Sequence, residues 1–239
     1  MNYLQLCQRF IRECGISGTL STVAGQSGEM LRVTDWVGQA WLELQSKHDD
    51  WEWMRSSGLL GAGASFTTLA GTSVYPLGVG AGKTGLDPAV FNKWDRATFR
   101  CTTTAAGKND EMPLDLVSYD DWRDAYMMGA MRAVQTRPVA IAVAPDLSLC
   151  LGPPPTAGYT ITGDYFRAPM AMTADGDLPT GLPSQFHMAI VYLAMTYYAG
   201  YEAAPEVVDR GQVGYARLVA QLEALRAPCL SRICTRLTG

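Results

Sequence analysis

Residues 186–203, FHMAIVYLAMTYYAGYEA, are apolar on nearly every side of a 3.6-residue period, with Tyr192, Tyr197, Tyr198 and Tyr201 added to the aliphatic run. A helix of that composition is buried on more than one side, and the centre of a helical bundle is its natural place. Ala204-Pro205 restarts the chain, since the residue before a proline is driven out of helical geometry. Val208, Gly211, Tyr215, Leu218, Leu222 and Leu225 then step by three or four residues, which predicts a further helix that stops before Pro228. Gly211 on that stripe allows a close helix approach.

The N-terminal end supplies helices to pack against this pair. Tyr3, Leu6, Phe10 and Cys14 recur at helical spacing, with Asn2 placed to cap and Gly15 as a stop. After a Gly/Ser/Thr-rich loop reaching Ser27, Met30, Val33, Val37, Trp41, Leu44 and His48 form one continuous stripe, predicting a long second helix that ends near Trp51. Trp36, Trp41, Trp51, Trp53, Tyr192 and Tyr215 are the residues expected to pack the bundle, because tryptophans at helical spacing are more often core than platform.

Between these ends the period changes from 3.6 to 2. Residues 66–69, 74–77 and 97–103 alternate between Gly, Thr and Pro punctuation and read as short strands. Ser118 with Asp121 forms a capping pattern ahead of WRDAYMMGAMRAV, predicting one helix that interrupts the sheet before Pro138. Val139, Ile141 and Val143 alternate, Pro145-Asp146 turns, and Leu147, Leu149 and Leu151 alternate back, predicting a hairpin with one buried face. Tyr159, Ile161 and Tyr165 sit on one face of a last strand before TADGDLPTGLP returns the chain to helix. The fold class expected is α+β: residues 1–57 and 173–226 form the two halves of a helical bundle, 58–172 an inserted β-rich module, and 227–239 a tail.

With 239 residues, 48% of them hydrophobic, the chain can bury a full core and is expected to be a soluble globular protein. Charged residues are only 18%, against about 25% in typical domains, which points to surface buried by partners. The longest uncharged stretch, 178–201, contains Pro179, Gly181 and Pro183 and leaves too few helical residues for a membrane span. The opening MNYLQLCQRFIREC carries charge inside a helical pattern and is not expected to be a secretion signal, so the six cysteines are expected to be reduced thiols in a cytosolic setting. Cys229 and Cys234 lack zinc-ligand spacing, and His48 and His187 are distant in the chain, so no metal site is expected.

Several motifs imitate catalytic or binding sites. GVGAGKT at 78–84 resembles a phosphate loop, but Leu77 stands where its first glycine belongs and Pro88 where its helix should run. His48-Asp49-Asp50 gathers metal-type ligands whose side chains, being consecutive, diverge, and Asp164, Asp175 and Asp177 read as solvated turns. Gly25-Gln26-Ser27 lacks the second glycine of a nucleophile elbow, since Glu29 occupies it. No catalytic residue and no cofactor is therefore expected. The net charge of −4, with Arg226, Arg232 and Arg236 uncompensated near one end, leaves an acidic body that repels nucleic acid. The alternative class is a carbohydrate-binding or hydrolytic accessory protein built on the β module, which would require a cleft with convergent carboxylates and an exposed aromatic platform.

Three stretches, LCQRFIRECGISG, GEMLRVTDWVGQAWLELQSKHDDWEWMR and GYTITGDYFRAPMAMTADGDLPTGLPSQFHMAIVYLAMTYYAGYEAAPE, resemble the head-to-tail adaptor (neck, or connector) proteins of tailed bacteriophages. Trp51 and Trp53 after His48-Asp49-Asp50 are the most specific part of the resemblance. It implies a structural virion protein, not an enzyme, that forms a homo-oligomeric dodecameric ring beneath the portal protein at the virion neck after assembly in the host cytoplasm. It further implies that tail or nozzle proteins dock on the β module and that genomic DNA passes through the channel without specific binding. The C-terminal segment is expected to reach the portal through Arg226, Leu230, Arg232, Ile233, Arg236 and Leu237.

Overall fold

In the computed structural model, which describes residues 1–56, 63–104 and 107–226, Asn2 and Gln5 exchange side-chain and backbone hydrogen bonds as a capping box at the start of α1 (Tyr3–Cys14). Gly15, left-handed at φ 69°, closes that helix. The N–H groups of Tyr3 and Leu4, which no helix can satisfy internally, donate to the carbonyls of Asp177 and Asp175 at 2.8 and 3.3 Å. α2 (Gly28–Ser46) stops earlier than its hydrophobic stripe suggests. Its terminal carbonyls are taken by side chains instead of by another turn: Trp51 Nε1 donates to the Leu44 carbonyl at 3.0 Å and Ser46 Oγ to that of Leu42 at 2.8 Å. The chain thus folds Trp51 back over the helix end, and His48 lies in the turn outside it.

α4 (His187–Glu202) and α5 (Pro205–Arg226) complete the helical unit, Met1–Trp53 with Pro169–Gly239. α4 packs on α1, α2 and α5, which is why Ile190, Val191, Ala194 and Met195 are all wholly buried although they point in different directions around the helix. The buried side of α5 is displaced from the stripe read in the sequence. Val207, Gly211, Gly214, Val219 and Leu222 face α4 or its neighbours, Val208, Tyr215 and Leu218 are half-buried, and Leu225 is 60% exposed. The displacement follows from the two glycines. A Cβ at Gly211 would lie 2.9 Å from the Tyr192 carbonyl oxygen, and one at Gly214 would lie 2.7 Å from the Tyr192 ring, so α5 meets α4 backbone-first.

His187 is buried at the start of α4, with Nε2 3.1 Å from the Leu182 carbonyl and Nδ1 2.7 Å from the Met1 amino group. Donating to Leu182 leaves Nδ1 to accept from Met1, a pattern that suits the neutral ring; a protonated ring would set donor against donor. Burial, reinforced by the Met1 charge, holds the His187 pKa below its ordinary 6.5. A depressed histidine pKa means that the unfolded chain takes up protons first, so this stabilisation is complete above the ordinary value and is lost as pH falls from it through the folded pKa. Thermal stability of the helical unit should therefore drop between about pH 7 and about pH 5, and His187→Gln should flatten the slope. An unchanged slope in that variant would remove His187 from the account.

The β-rich unit is Met54–Ala168, beside the 58–172 expected from the change of period. Its strands are β1 (Arg55–Ser56), β2 (Ala64–Thr67), β3 (Val74–Tyr75), β4 (Phe91–Trp94), β5 (Arg100–Thr103), β6 (Met112–Pro113), β7 (Asp115–Leu116), β8 (Ala140–Val143), β9 (Leu149–Gly152), β10 (Tyr159–Gly163) and β11 (Tyr165–Arg167). They form three sheets, ordered β1-β11-β4, β2-β10-β5-β6 and β3-β9-β8-β7. In the second, Phe66, Ile161 and Cys101 stand in register and point together into the core, with Tyr75, Leu149, Leu151 and Ile141 arriving from the third.

Three expectations are corrected in this unit. The hairpin β8–β9 is buried on both faces: Ile141, Leu149 and Leu151 join the main core, while Ala142 and Cys150 meet Trp122 of α3 (Tyr119–Tyr126), which covers the other side. The helix opened by Ser118, whose Oγ accepts from the Asp121 N–H at 3.1 Å, ends at Tyr126 because Gly129 turns left-handed at φ 61°; a 3₁₀ segment, Gly129–Ala133, follows. The last strand is two strands in different sheets. Gly163 approaches Phe99 too closely for a side chain, and Asp164 breaks the run by donating its N–H to Thr98 Oγ and pairing with Arg55 at 2.9 Å.

The main chain carries a costly burial at Tyr75. Its hydroxyl, on a fully buried ring, donates to the Thr72 carbonyl at 2.8 Å and receives the Leu69 N–H at 3.0 Å, tying down the turn ahead of β3.

Candidate functional site

The glycine-rich segment that imitates a phosphate loop is a closed turn. Gly85 donates to the Gly78 carbonyl at 2.9 Å and Thr84 to that of Pro76 at 3.1 Å, while Gly78, Gly80, Gly82 and Gly85 all have positive φ. A 3₁₀ turn, Pro88–Val90, stands where a phosphate-binding helix would have to start, and the N–H groups of Lys83, Thr84 and Gly85 are spent on carbonyls of the loop itself.

The His48 cluster is likewise used internally. His48 Nε2 lies 2.9 Å and Lys47 Nζ 3.2 Å from the same Glu223 oxygen of α5, and the imidazole stands edge-on to Trp51 at 4.8 Å. Hydrogen bonds from His48 and Lys47 hold the Glu223 pKa below the usual carboxylate range. Among the described residues no group of three or more His, Cys, Asp and Glu could hold a metal ion. None of their helices is long and apolar enough to cross a membrane.

The carboxylates read as solvated turns serve as anchors instead. Asp175 Oδ1 accepts from Val23 N–H at 2.6 Å, and Asp177 Oδ2 accepts from the Thr173 and Ala174 N–H groups at 2.7 and 2.8 Å, which lowers the Asp177 pKa. In the β unit Asp95 and Asp164 do converge, but on the Arg55 guanidinium, at 2.8 and 2.9 Å. Arg137, which no sequence pattern marks, grips Asp110 through both carboxylate oxygens at 2.8 and 2.9 Å and also donates to the Cys101 carbonyl. Asp95 and Asp164 thus balance one guanidinium and Asp110 another.

The described thiols, Cys7, Cys14, Cys101 and Cys150, are held in their neutral form. Burial pushes the Cys7 and Cys14 thiols up to about 12 and Cys150 up to about 11; Cys101 is also raised by burial, against a counteracting bond from Arg137. Peptide-level mapping after alkylation should find Cys7, Cys101 and Cys150 unmodified in the native protein at about pH 8 and modified after denaturation. Native labelling as fast as that of a free thiol would contradict this.

The aromatic residues form walls, not platforms. Trp41 and Trp51 are buried, and Trp53 stacks on Trp41 with centroids 5.6 Å apart and meets Trp51 at 6.0 Å. Trp36 joins Phe10 and Tyr198 at 6.1 and 5.8 Å, Tyr192 lies against Gly214, and Tyr215 is capped by Lys47 at 5.6 Å. Trp94 and Trp122 are buried in the β unit. The large apolar residues that reach solvent include Tyr201 at the end of α4, Val213 and Leu225 on α5, Leu178 in the loop before α4, and Val79, Met128 and Met131 in the β unit. Leu230, Arg232, Ile233, Arg236, Leu237 and the Arg226 side chain lie outside the described residues.

No curated protein matches the chain. The family model described as SU10 adaptor protein matches residues 1–229, spanning both the helical and the β-rich units. The chain therefore belongs to the SU10 adaptor protein family, a family of phage head-to-tail adaptors.

Proposed function

We propose that this protein forms a homo-oligomeric, dodecameric ring beneath the portal protein at the virion neck, where it extends the DNA channel and offers tail or nozzle proteins a docking platform. The observation that carries the reading is the family match over residues 1–229. In this reading neighbouring copies meet through their helical units and tail components through the β-rich units. A net charge of −4 lets DNA pass without sticking. Arg226, Leu230, Arg232, Ile233, Arg236 and Leu237 attach to the portal, where equivalent contacts repeated around the ring offset the cost of ordering the segment. The protein is structural and not an enzyme, and it assembles onto the portal in the host cytoplasm.

Assembly is templated: the portal supplies the ring geometry, and the interface between copies is too weak to close a ring alone. Sedimentation of the isolated chain at micromolar concentration should show monomer, and mixing with the portal protein of the same virus should move it into a portal-sized complex. Stable rings without portal would contradict templating, and absence of any co-sedimenting complex would overturn the portal reading.

A further inference from the structure

We propose that the cavity between the end of β4 and the β8–β9 turn binds a protein segment that carries an aspartate or glutamate beside an aliphatic side chain. The cavity encloses about 310 Å³ and is lined by Lys93, Trp94, Arg96, Val143 and Leu147, all of them in the β-rich unit. One wall is fixed, because Trp94 is buried and its indole N–H donates to the Leu147 carbonyl at 2.9 Å. The aliphatic wall is Val143, half-buried at the end of β8, and Leu147, exposed in the turn. Leu147 stands at φ 68°, a left-handed backbone that glycine adopts with less strain. The turn thus presents a bulky aliphatic side chain where sterics favour none, and strain of that kind collects at binding sites.

Charge selects the occupant. Two cations, Lys93 and Arg96, line the cavity and no carboxylate does, in a chain whose net charge is −4. The carboxylates next to it in the chain are spent elsewhere. Asp95 pairs with Arg55 at 2.8 Å, and Asp146 in the β8–β9 turn accepts from the Ser148 N–H and hydroxyl at 3.1 and 2.9 Å. Arg96 is exposed, and its guanidinium can offer a carboxylate two parallel donors. Lys93 Nζ is held over the Phe166 ring at 5.3 Å. A phosphate backbone would meet the same cations, but Val143 and Leu147 gain nothing from a hydrated chain and gain burial from an aliphatic neighbour of the carboxylate. The volume is at the lower end for a ligand pocket, which suits the side chains of one segment. This inference deepens the reading in which tail components meet the β-rich units, and rests on it only for which partner supplies the segment. Binding itself is a property of the isolated chain.

Indole proton–nitrogen NMR spectra of the full chain read the site directly, because the Trp94 side chain forms part of its wall; Trp94→Phe assigns the resonance. The probe is a hexapeptide, blocked at both ends, with a central glutamate–leucine pair between glycine and serine residues. It should shift the Trp94 resonance saturably. Replacing the probe's glutamate by glutamine, or its leucine by glycine, should weaken binding by about tenfold in each case. Arg96→Glu, at an exposed position, should weaken it by about tenfold or more. Leu147→Gly, which suits φ 68° and keeps the carbonyl bonded to Trp94, should weaken it by about fivefold with a melting temperature at or above that of wild type. No shift, equal affinity for the three peptides, or full affinity in Arg96→Glu would overturn the proposal. An oligothymidylate that moves the same resonance at lower concentration than the peptide would overturn it in favour of nucleic acid. Since no portal or tail protein enters this experiment, its failure leaves the adaptor reading standing, and a neck without this chain would leave peptide binding standing.

Discussion

Gly211→Leu is expected to destabilise the helical unit by about 2–3 kcal/mol, despite replacing a poor helix former with a good one. Helix propensity alone would favour the change by about 1 kcal/mol. Against it stands the backbone of α4: a Cβ at Gly211 lies 2.9 Å from the Tyr192 carbonyl oxygen and 3.2 Å from the Met195 Cβ. Neither atom is the far end of a flexible side chain, so relief requires α5 to move away from α4 and exposes Met195, Ala194 and Val219 to water. The melting temperature of the helical transition should fall by roughly 5–10 °C. Gly200→Ala in α4 is the matched control, because nothing lies within 4 Å of a Cβ there and φ is not positive. It should raise the melting temperature by a few degrees, on the order of 1 kcal/mol. A Gly211→Leu protein that melts at or above wild type would refute the close approach of α4 and α5.

Trp41→Ala should cost about 3–5 kcal/mol. The side chain is 2% exposed, stacks on Trp53 at 5.6 Å, and belongs to the ring cluster that folds the 47–53 segment back over the end of α2. The cavity cannot collapse easily, because Trp51 on the other side of Trp53 is fixed to the Leu44 carbonyl. Trp41→Phe keeps an aromatic wall and should cost less than half as much. Urea unfolding curves measure both variants, and a loss below about 1 kcal/mol for Trp41→Ala would show that the cluster is peripheral to stability.

Much of this architecture is legible in the sequence because local signals and tertiary demands agree. Asn2 and Ser118 open their helices through side-chain hydrogen bonds, and Gly15 closes one through the left-handed backbone that the lack of a Cβ permits. The apolar girth of α4 reports its three helical neighbours directly. Where the reading departs from the structure, a distant residue decides. The end of α2 is set by Trp51 returning to the Leu44 carbonyl, against a stripe that runs on to His48. The hairpin β8–β9 looks one-sided because Ala142 and Cys150 are small, and only the arrival of Trp122 from α3 buries them. Asp164 splits the last strand through Thr98 and Arg55, neither of which is near it in sequence.

The candidate surfaces were legible to a lesser degree for the same reason. The tryptophan pair Trp51 and Trp53 stands out in the sequence, yet the groove it floors needs Pro183, Leu222 and Leu225 from other parts of the chain. Arg137 gave no signal, because its partners Asp110 and Cys101 arrive from separate strands and turns. Asp175 and Asp177 looked like turn residues, and they are, but the turn also receives the first N–H groups of α1.

Electron cryo-microscopy of the virion that encodes this chain tests the central claim most directly. A ring of copies of this chain between portal and tail, with the DNA channel passing through the middle, is the expected result. Neck density built wholly from other chains, or this chain found elsewhere in the particle, would contradict it.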